Sequence, residues 1–376
     1  MSLVLNIARE DLLSALAAMQ NVTGKTGTMA ILSNVLLRSK ADFLELTGTD
    51  LEIGIRLDIP AEILSPGKLT LPAKKLFEIV RESNSSHIHL EERENNWVRI
   101  TADSSDYNMA GMAAEEFPSF PEYDEDFLIK VNSDDIRDLI EKTIFSVASD
   151  TESNFTLTGV LVEKEQEDTK NFLRMVSSDG HRLSLMKKEI EGDISRFHLE
   201  KTTLIPRKGV QEIKKFCENF KEVLLGFEEK QAVLKSKNAI LIIRLMNGDF
   251  PNFRNLLKII NKDNFIEIKR LTLLNAMKRM NLFTEDRFNV VKCVMENNEI
   301  ILSSQSMDLG NAKENHPINY TGEPLKLGFN GRYFIDTLQV MTAEDVKIFI
   351  SGKDKPCMIY SENEPDFISI IMPMEI

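Results

Sequence analysis

The chain has 376 residues, 42% of them hydrophobic and 28% charged, with a formal net charge of −13. This predicts two or three domains with real cores. There is no charged-then-apolar leader and no apolar run long enough for a bilayer, so the cytoplasm is the expected location. The cysteines, Cys217, Cys293 and Cys357, are odd in number, far apart and form no CxxC pair. That pattern argues against a disulfide framework or zinc site and predicts small buried apolar residues. The acidic balance by itself argues against a tight grip on nucleic acid, because phosphate neutralisation supplies most non-specific affinity.

In chain order the sequence repeats with a period of roughly 125 to 135 residues, too long for a solenoid and right for tandem domains. Each copy opens on an apolar residue and a helix start: Ile7 to Leu13, Val131 to Ile136, and Ile268 to Leu274. Apolar residues then recur at helical spacing, as Leu12, Leu16, Met19; Ile136, Ile140, Ile144; and Leu273, Met277, Met280. A second anchor is a short strand entering another helix: Thr70-Leu71-Pro72, Leu204-Ile205-Pro206 and Gly328-Phe329-Asn330. Proline is tolerated in a first helical turn, and asparagine is a good cap. Six helices are thus expected, over 8–20, 74–82, 132–144, 207–221, 269–280 and 331–340. Alternating runs such as 43–57, 223–234, 239–245, 299–304 and 346–351 predict strands. Two copies close alike, on Phe117-Pro118-Ser119-Phe120 and Phe250-Pro251-Asn252-Phe253. The acidic stretch 121–127 reads as a first linker and 255–264 as a second. The expected class is α+β: three tandem domains at 1–122, 130–253 and 254–376, each two helices packed on antiparallel sheet.

These segments, in their order and spacing, resemble the beta sliding clamp family of bacterial DNA polymerase III across essentially the whole chain. The best of them are Ile31 to Leu37, Leu46 to Glu52, Thr70 to Arg81, Ala114 to Pro118, Asp179-Gly180-His181-Arg182-Leu183, Phe250 to Phe253 and Met372-Pro373-Met374. The resemblance implies a non-enzymatic DNA sliding clamp. Two three-domain chains would join head to tail into a six-domain ring around duplex DNA, helices inside and sheets outside. The implied partners are duplex DNA without sequence preference, a second copy, the replicative polymerase catalytic subunit, a clamp loader, and other polymerases and repair proteins. No cofactor, metal, catalytic residue or membrane is implied. The dimer contact would fall on Tyr107 and Met109 facing Leu282 and Phe283, all large and mostly apolar, as a stable interface core needs.

Charge then acquires a distribution. The six expected helices together carry five more basic than acidic side chains, so the negative charge lies elsewhere. A basic helical layer would attract the backbone loosely and permit sliding. Implied DNA contacts are Lys25 and Thr26 in one loop, Thr151, Phe155 and Thr156 in another, and Arg207, Lys208, Lys214, Lys278 and Arg279 on helices. An aromatic at Phe155 could stack on single-stranded bases, but Thr156 stands where some relatives carry a second ring. The family's partner pocket accepts a short apolar peptide. Here its wall would be Leu157, Ser178, Gly180, His181, Arg182, Leu183, Pro251, Asn255, Leu256, Tyr333, Ile370, Met372, Pro373 and Met374. Methionines offer adaptable surface to several ligands in turn, and His181 and Arg182 are expected to supply hydrogen bonds at the rim. Glu375 stands where the family usually has a basic residue, which predicts poorer tolerance of acidic flanks. Ala30 replaces a common proline.

Enzyme readings fit poorly. Gly24-Lys25-Thr26 resembles the end of a P-loop, but position 19 is Met where the motif needs glycine. Asp179-Gly180-His181 has no GxSxG elbow to serve. His87 and His89 share a strand face without a third ligand at suitable spacing. The alternative left open is a degenerate clamp-fold binding module that does not encircle DNA.

Overall fold

The computed structural model describes residues 2–24, 29–149, 155–199, 202–284, 289–320 and 322–375. Its α-helices are α1 (Arg9–Met19), α2 (Ala73–Glu82), α3 (Ser133–Glu141), α4 (Arg207–Glu218), α5 (Arg254–Ile259), α6 (Arg270–Asn281) and α7 (Gly331–Val340). Six match the expected pairs. The seventh, α5, lies inside the segment read as the second linker, where six residues are too few for a helical period to be visible. Helix α3 is shorter than expected. Thr143 turns its Oγ1 back to the Leu139 carbonyl at 2.7 Å, and Ile144 falls in a separate 3₁₀ turn, the usual competition of a threonine hydroxyl with the helix. Asn330 caps α7 as expected, accepting from the Arg332 N–H at 3.0 Å. Pro72 sits at the cap position of α2, one residue before the first turn.

The chain forms two compact units. The first comprises 1–131, 195–198 and 215–245. Its smaller sheet runs, in spatial order, Glu62–Ser65, Val4–Ala8, His87–Glu92, Trp97–Ala102, Ser105–Ala110. Its larger sheet has eight strands, with Ala239–Arg244 paired antiparallel to Ile53–Pro60 at its centre. Leu12, Leu16 and Met19 of α1 and Leu76 and Val80 of α2 are fully or almost fully buried. These are the positions that helical spacing selects.

The second unit comprises 132–194, 199–214 and 246–376. Its large sheet also has eight strands, in the order Leu204–Pro206, Gly159–Glu167, Lys170–Ser178, Arg182–Glu189, Phe367–Ile371, Cys357–Tyr360, Asp345–Ile350, Phe265–Lys269. The smaller one runs Gly310–Pro317, Glu299–Ser306, Val290–Glu296, Leu325–Asn330. Helices α6 and α7 bury Leu273, Leu274, Met277, Met280, Phe334 and Leu338.

The repeat shows in small details. A methionine closes each copy by bridging to the strand before its second helix: Met112 to Thr70, Met246 to Leu204, Met374 to Gly328. The hairpins at 49–53 and 178–182 are also built alike. Asp50 Oδ1 accepts from Glu52 N and Ile53 N, and Asp179 Oδ1 from His181 N and Arg182 N, at 2.7–3.0 Å. Thr49 and Ser178 hydroxyls donate to the carbonyls of Ile53 and Arg182. The residue after each aspartate is left-handed, Leu51 at φ 75° and Gly180 at φ 88°.

Candidate partner-binding site and nucleic-acid face

The expected pocket residues gather in the second unit. Strand Arg182–Glu189 pairs with Phe367–Ile371 so that Leu183 lies opposite Ile370. Both are buried and belong to one apolar cluster with Phe253 and Leu161, against which Leu256 of α5 packs. The tail then leaves the sheet beside the 178–182 hairpin. Met372 N donates to the His181 carbonyl at 2.9 Å, and Met374 N to that of Gly328 at 2.8 Å. These two bonds fix the Met-Pro-Met segment between the hairpin and the strand that enters α7. Met372, Pro373, Met374, Leu256 and Tyr333 are half-buried, while His181, Pro251 and Asn255 are exposed. Leu157, Leu183 and Ile370 are buried.

Arg182 is not the rim donor that sequence reasoning expected. Its side chain is 10% exposed, and each of its guanidinium nitrogens is engaged. Nε donates to Asp179 Oδ2 at 2.9 Å, Nη1 to Asp336 Oδ2 at 2.7 Å and Nη2 to the Phe145 carbonyl at 2.5 Å. The group stacks over Tyr333, 4.4 Å from the ring centroid. Guanidinium forks suit such planar, charge-assisted contacts. Arg182 therefore ties the hairpin to α7 and to the turn after α3, and it positions Tyr333. Sequence reasoning missed Asp336 and Phe145. Asp336 had one signal: it stands three residues after Tyr333, on the same helix face.

The cations expected at DNA divide. Lys208 and Lys278 are exposed and Arg207 is half-buried. Lys214 pairs with Glu141 at 2.9 Å. Arg279 is held by both carboxylate oxygens of Glu314, Nε at 2.9 Å and Nη2 at 2.5 Å, which raises its pKa further and lowers that of Glu314. Lys214 and Arg279 are thus committed within the chain. Phe155 opens a 3₁₀ turn, Phe155–Thr158, and is 64% exposed, with Thr156 beside it in the same turn. Lys25, Thr26 and Thr151 lie outside the described residues.

Of the expected dimer contacts, Tyr107 is exposed, Phe283 half-buried and Leu282 69% exposed. Met109 is 7% exposed. In the strand Ser105–Ala110 Met109 alone is buried, opposite the buried Val98. It supports the sheet edge from beneath and presents almost no surface. His89 Nδ1 lies 2.7 Å from Asn6 Oδ1 and His87 Nδ1 3.0 Å from Ser86 Oγ, ordinary local hydrogen bonds.

Three domain profiles match the chain consecutively: the N-terminal domain of the DNA polymerase III beta subunit at 3–121, its central domain at 130–252 and its C-terminal domain at 260–375. The chain belongs to the DNA polymerase III beta subunit family. Among relatives, the beta sliding clamp of Pseudomonas putida is 28% identical over 378 residues, covering 98% of this chain and 99% of the relative. That of Chlamydia trachomatis is 28% identical over 370 residues, covering 98% and 86%. The solved Caulobacter crescentus clamp superposes with a TM-score of 0.92 at 28% identity, covering 100% of this chain and 99% of the other. The Bacillus subtilis clamp gives 0.91 at 26%, covering 100% of both. The beta-subunit fold is three clamp domains of helix and antiparallel sheet. Its members are DNA sliding clamps, processivity factors and not enzymes, and this chain shares that function. No helix among the described residues is long and apolar enough to cross a membrane.

Proposed function

We propose that this beta-family chain works in the cytoplasm as a head-to-tail homodimeric ring around duplex DNA. The ring holds the replicative polymerase, a clamp loader and other polymerases and repair proteins in turn at the pocket walled by Met372, Met374, Leu183 and Tyr333. The observation that carries this reading is the match of three consecutive clamp-domain profiles along the chain, at 3–121, 130–252 and 260–375. Two sheet edges support closure by a second copy. Ser105–Ala110 ends one sheet and Gly310–Pro317 another, so each unit offers a terminal strand. Tyr107 lies on the first edge strand, and Leu282 follows α6, whose Arg279 is bound to Glu314 on the second. The exposed Lys208 and Lys278 suit loose attraction to phosphates, without the base contacts that would halt sliding. The pocket's methionines suit a succession of apolar peptides. The Caulobacter clamp was crystallised with polyethylene glycol at a region proposed to tether its beta motif.

The test is topological. The purified clamp is loaded with a clamp loader onto nicked circular DNA and isolated by gel filtration. Retention on the circle and release after linearisation are expected. Retention on linear DNA would point to ordinary binding, and no retention on either would point to a degenerate module.

A further inference from the structure

The two strands that floor the partner pocket continue past it. Two residues beyond the Leu183–Ile370 pair, Leu185 faces Ile368 on the same side of the sheet, about 7 Å further along. There, beside α5, lies a cavity of ≈ 290 Å³. Leu185, Ile368, Phe253 and Leu257 supply its apolar surface. Neighbouring residues of α5 serve the two places, Leu256 the pocket and Leu257 the cavity. The volume suits one or two side chains and is small for a whole ligand of drug size.

Five charged residues also line the cavity, Glu165, Arg174, Lys187, Arg254 and Asp366, and each is paired, Arg254 with Glu163 at 2.9 Å. Lys187 is neutralised by Glu167 at 2.7 Å and Asp366 at 3.9 Å. Arg174 is 12% exposed and pairs through its Nη atoms with Glu163 and Glu165. Its Nε is buried and has no hydrogen-bond partner. With these charges paired off, the apolar residues are what the cavity offers. We propose that this cavity is a second anchor site for the partner chain. It takes an apolar side chain lying outside the short motif seated at the Met372–Met374 pocket. The inference rests on the reading of the Met-lined pocket as the partner site, with which the cavity is continuous along paired strands.

Two peptides from the organism's own replicative polymerase provide the test: the short apolar motif, and the same motif extended by about ten residues on each side. Affinity is measured by fluorescence anisotropy and occupancy by methyl NMR on the full-length clamp. The short peptide is expected to move the Met372 and Met374 methyls only, and the long one to move those of Ile368 and Leu257 as well and to bind about tenfold tighter or more. Filling the cavity with Leu257→Trp, or with Ile368→Phe as a second variant, is expected to bring the long peptide down to the short peptide's affinity and leave the short peptide unchanged. Equal affinity of both peptides for the unmodified clamp, or still methyls at Ile368 and Leu257, overturns the second anchor and leaves the pocket standing. If the short peptide fails to bind the unmodified clamp, the pocket reading itself falls, and the cavity's role falls with it.

Discussion

Leu51 holds a backbone conformation that Gly180, its counterpart in the next copy, adopts freely. The turns are otherwise matched, with the same aspartate and hydroxyl bonds. A side chain at left-handed φ costs about 1–2 kcal/mol, while glycine costs entropy in the unfolded chain. Leu51→Gly is therefore expected to leave stability within about 1 kcal/mol of the parent or slightly higher. Gly180→Ala, whose new Cβ meets nothing within 4 Å, is expected to cost about 1 kcal/mol through backbone strain alone. Urea unfolding of the two variants checks the contrast. Arg182 makes the opposite point: a residue readable as part of a site and misread in its role. Its partners Asp336 and Phe145 stand 154 and 37 residues away, so nothing local marks them. Arg182→Met leaves Asp179 and Asp336 facing each other without their cation. The expected loss is about 3 kcal/mol or more, with weakened peptide binding because Tyr333 loses its stacking partner. Recovery of stability but not of binding in a double variant with Asp336→Asn would separate the two roles.

Between elements, the buried pair of Lys142 and Glu364 joins the end of α3 to the loop before strand Phe367–Ile371. The ions are 2.8 Å apart, and both side chains are less than a tenth exposed. Burial works against both charges, but the contacts win. Hydrogen bonds from Lys142, Ala343 N and Thr342 N hold the Glu364 carboxyl below its usual range, and Glu364 and Asp138 hold the ammonium above its own. A depressed carboxylate stabilises the fold above its unfolded pKa and loses that contribution as pH falls through the folded value. A raised ammonium stabilises below its unfolded pKa and loses it as pH rises through the folded value. The pair is thus fully effective from about pH 5 to about pH 10. Glu364→Gln is expected to destabilise at pH 7, with the gap from the parent narrowing below about pH 4 in urea titrations. The sequence announced α1, α2, α6 and α7 because their apolar positions recur every three or four residues. It did not announce α5, whose RNLLKI is shorter than two turns, nor the Lys142 pair, which spans 222 residues. The proposed pocket is readable only through the order of short segments across the chain, since no single one of them carries chemistry.

At the scale of the molecule, Leu282 is the sharpest probe of assembly, being both exposed and apolar. Leu282→Asp is expected to leave unfolding of the chain nearly unchanged while shifting sedimentation from twice 42.8 kDa toward the single chain, since a charge at an apolar interface core goes unpaired. An unmoved dimer would place the contact elsewhere. Opening such an assembly needs one joint weaker than the rest, and the ladders identify which joints are not weak. Ala239–Arg244 runs against Ile53–Pro60 over five paired positions, and Arg182–Glu189 against Phe367–Ile371 over five more. Each seam welds one copy of the repeat to the next through buried backbone. A load pulling along these strands meets all five rungs at once, so a crack started there would have to run the full width. In the proposed ring the compliant place is where separate chains meet, and a machine that pries it apart would find its purchase at that junction, with every welded seam left intact.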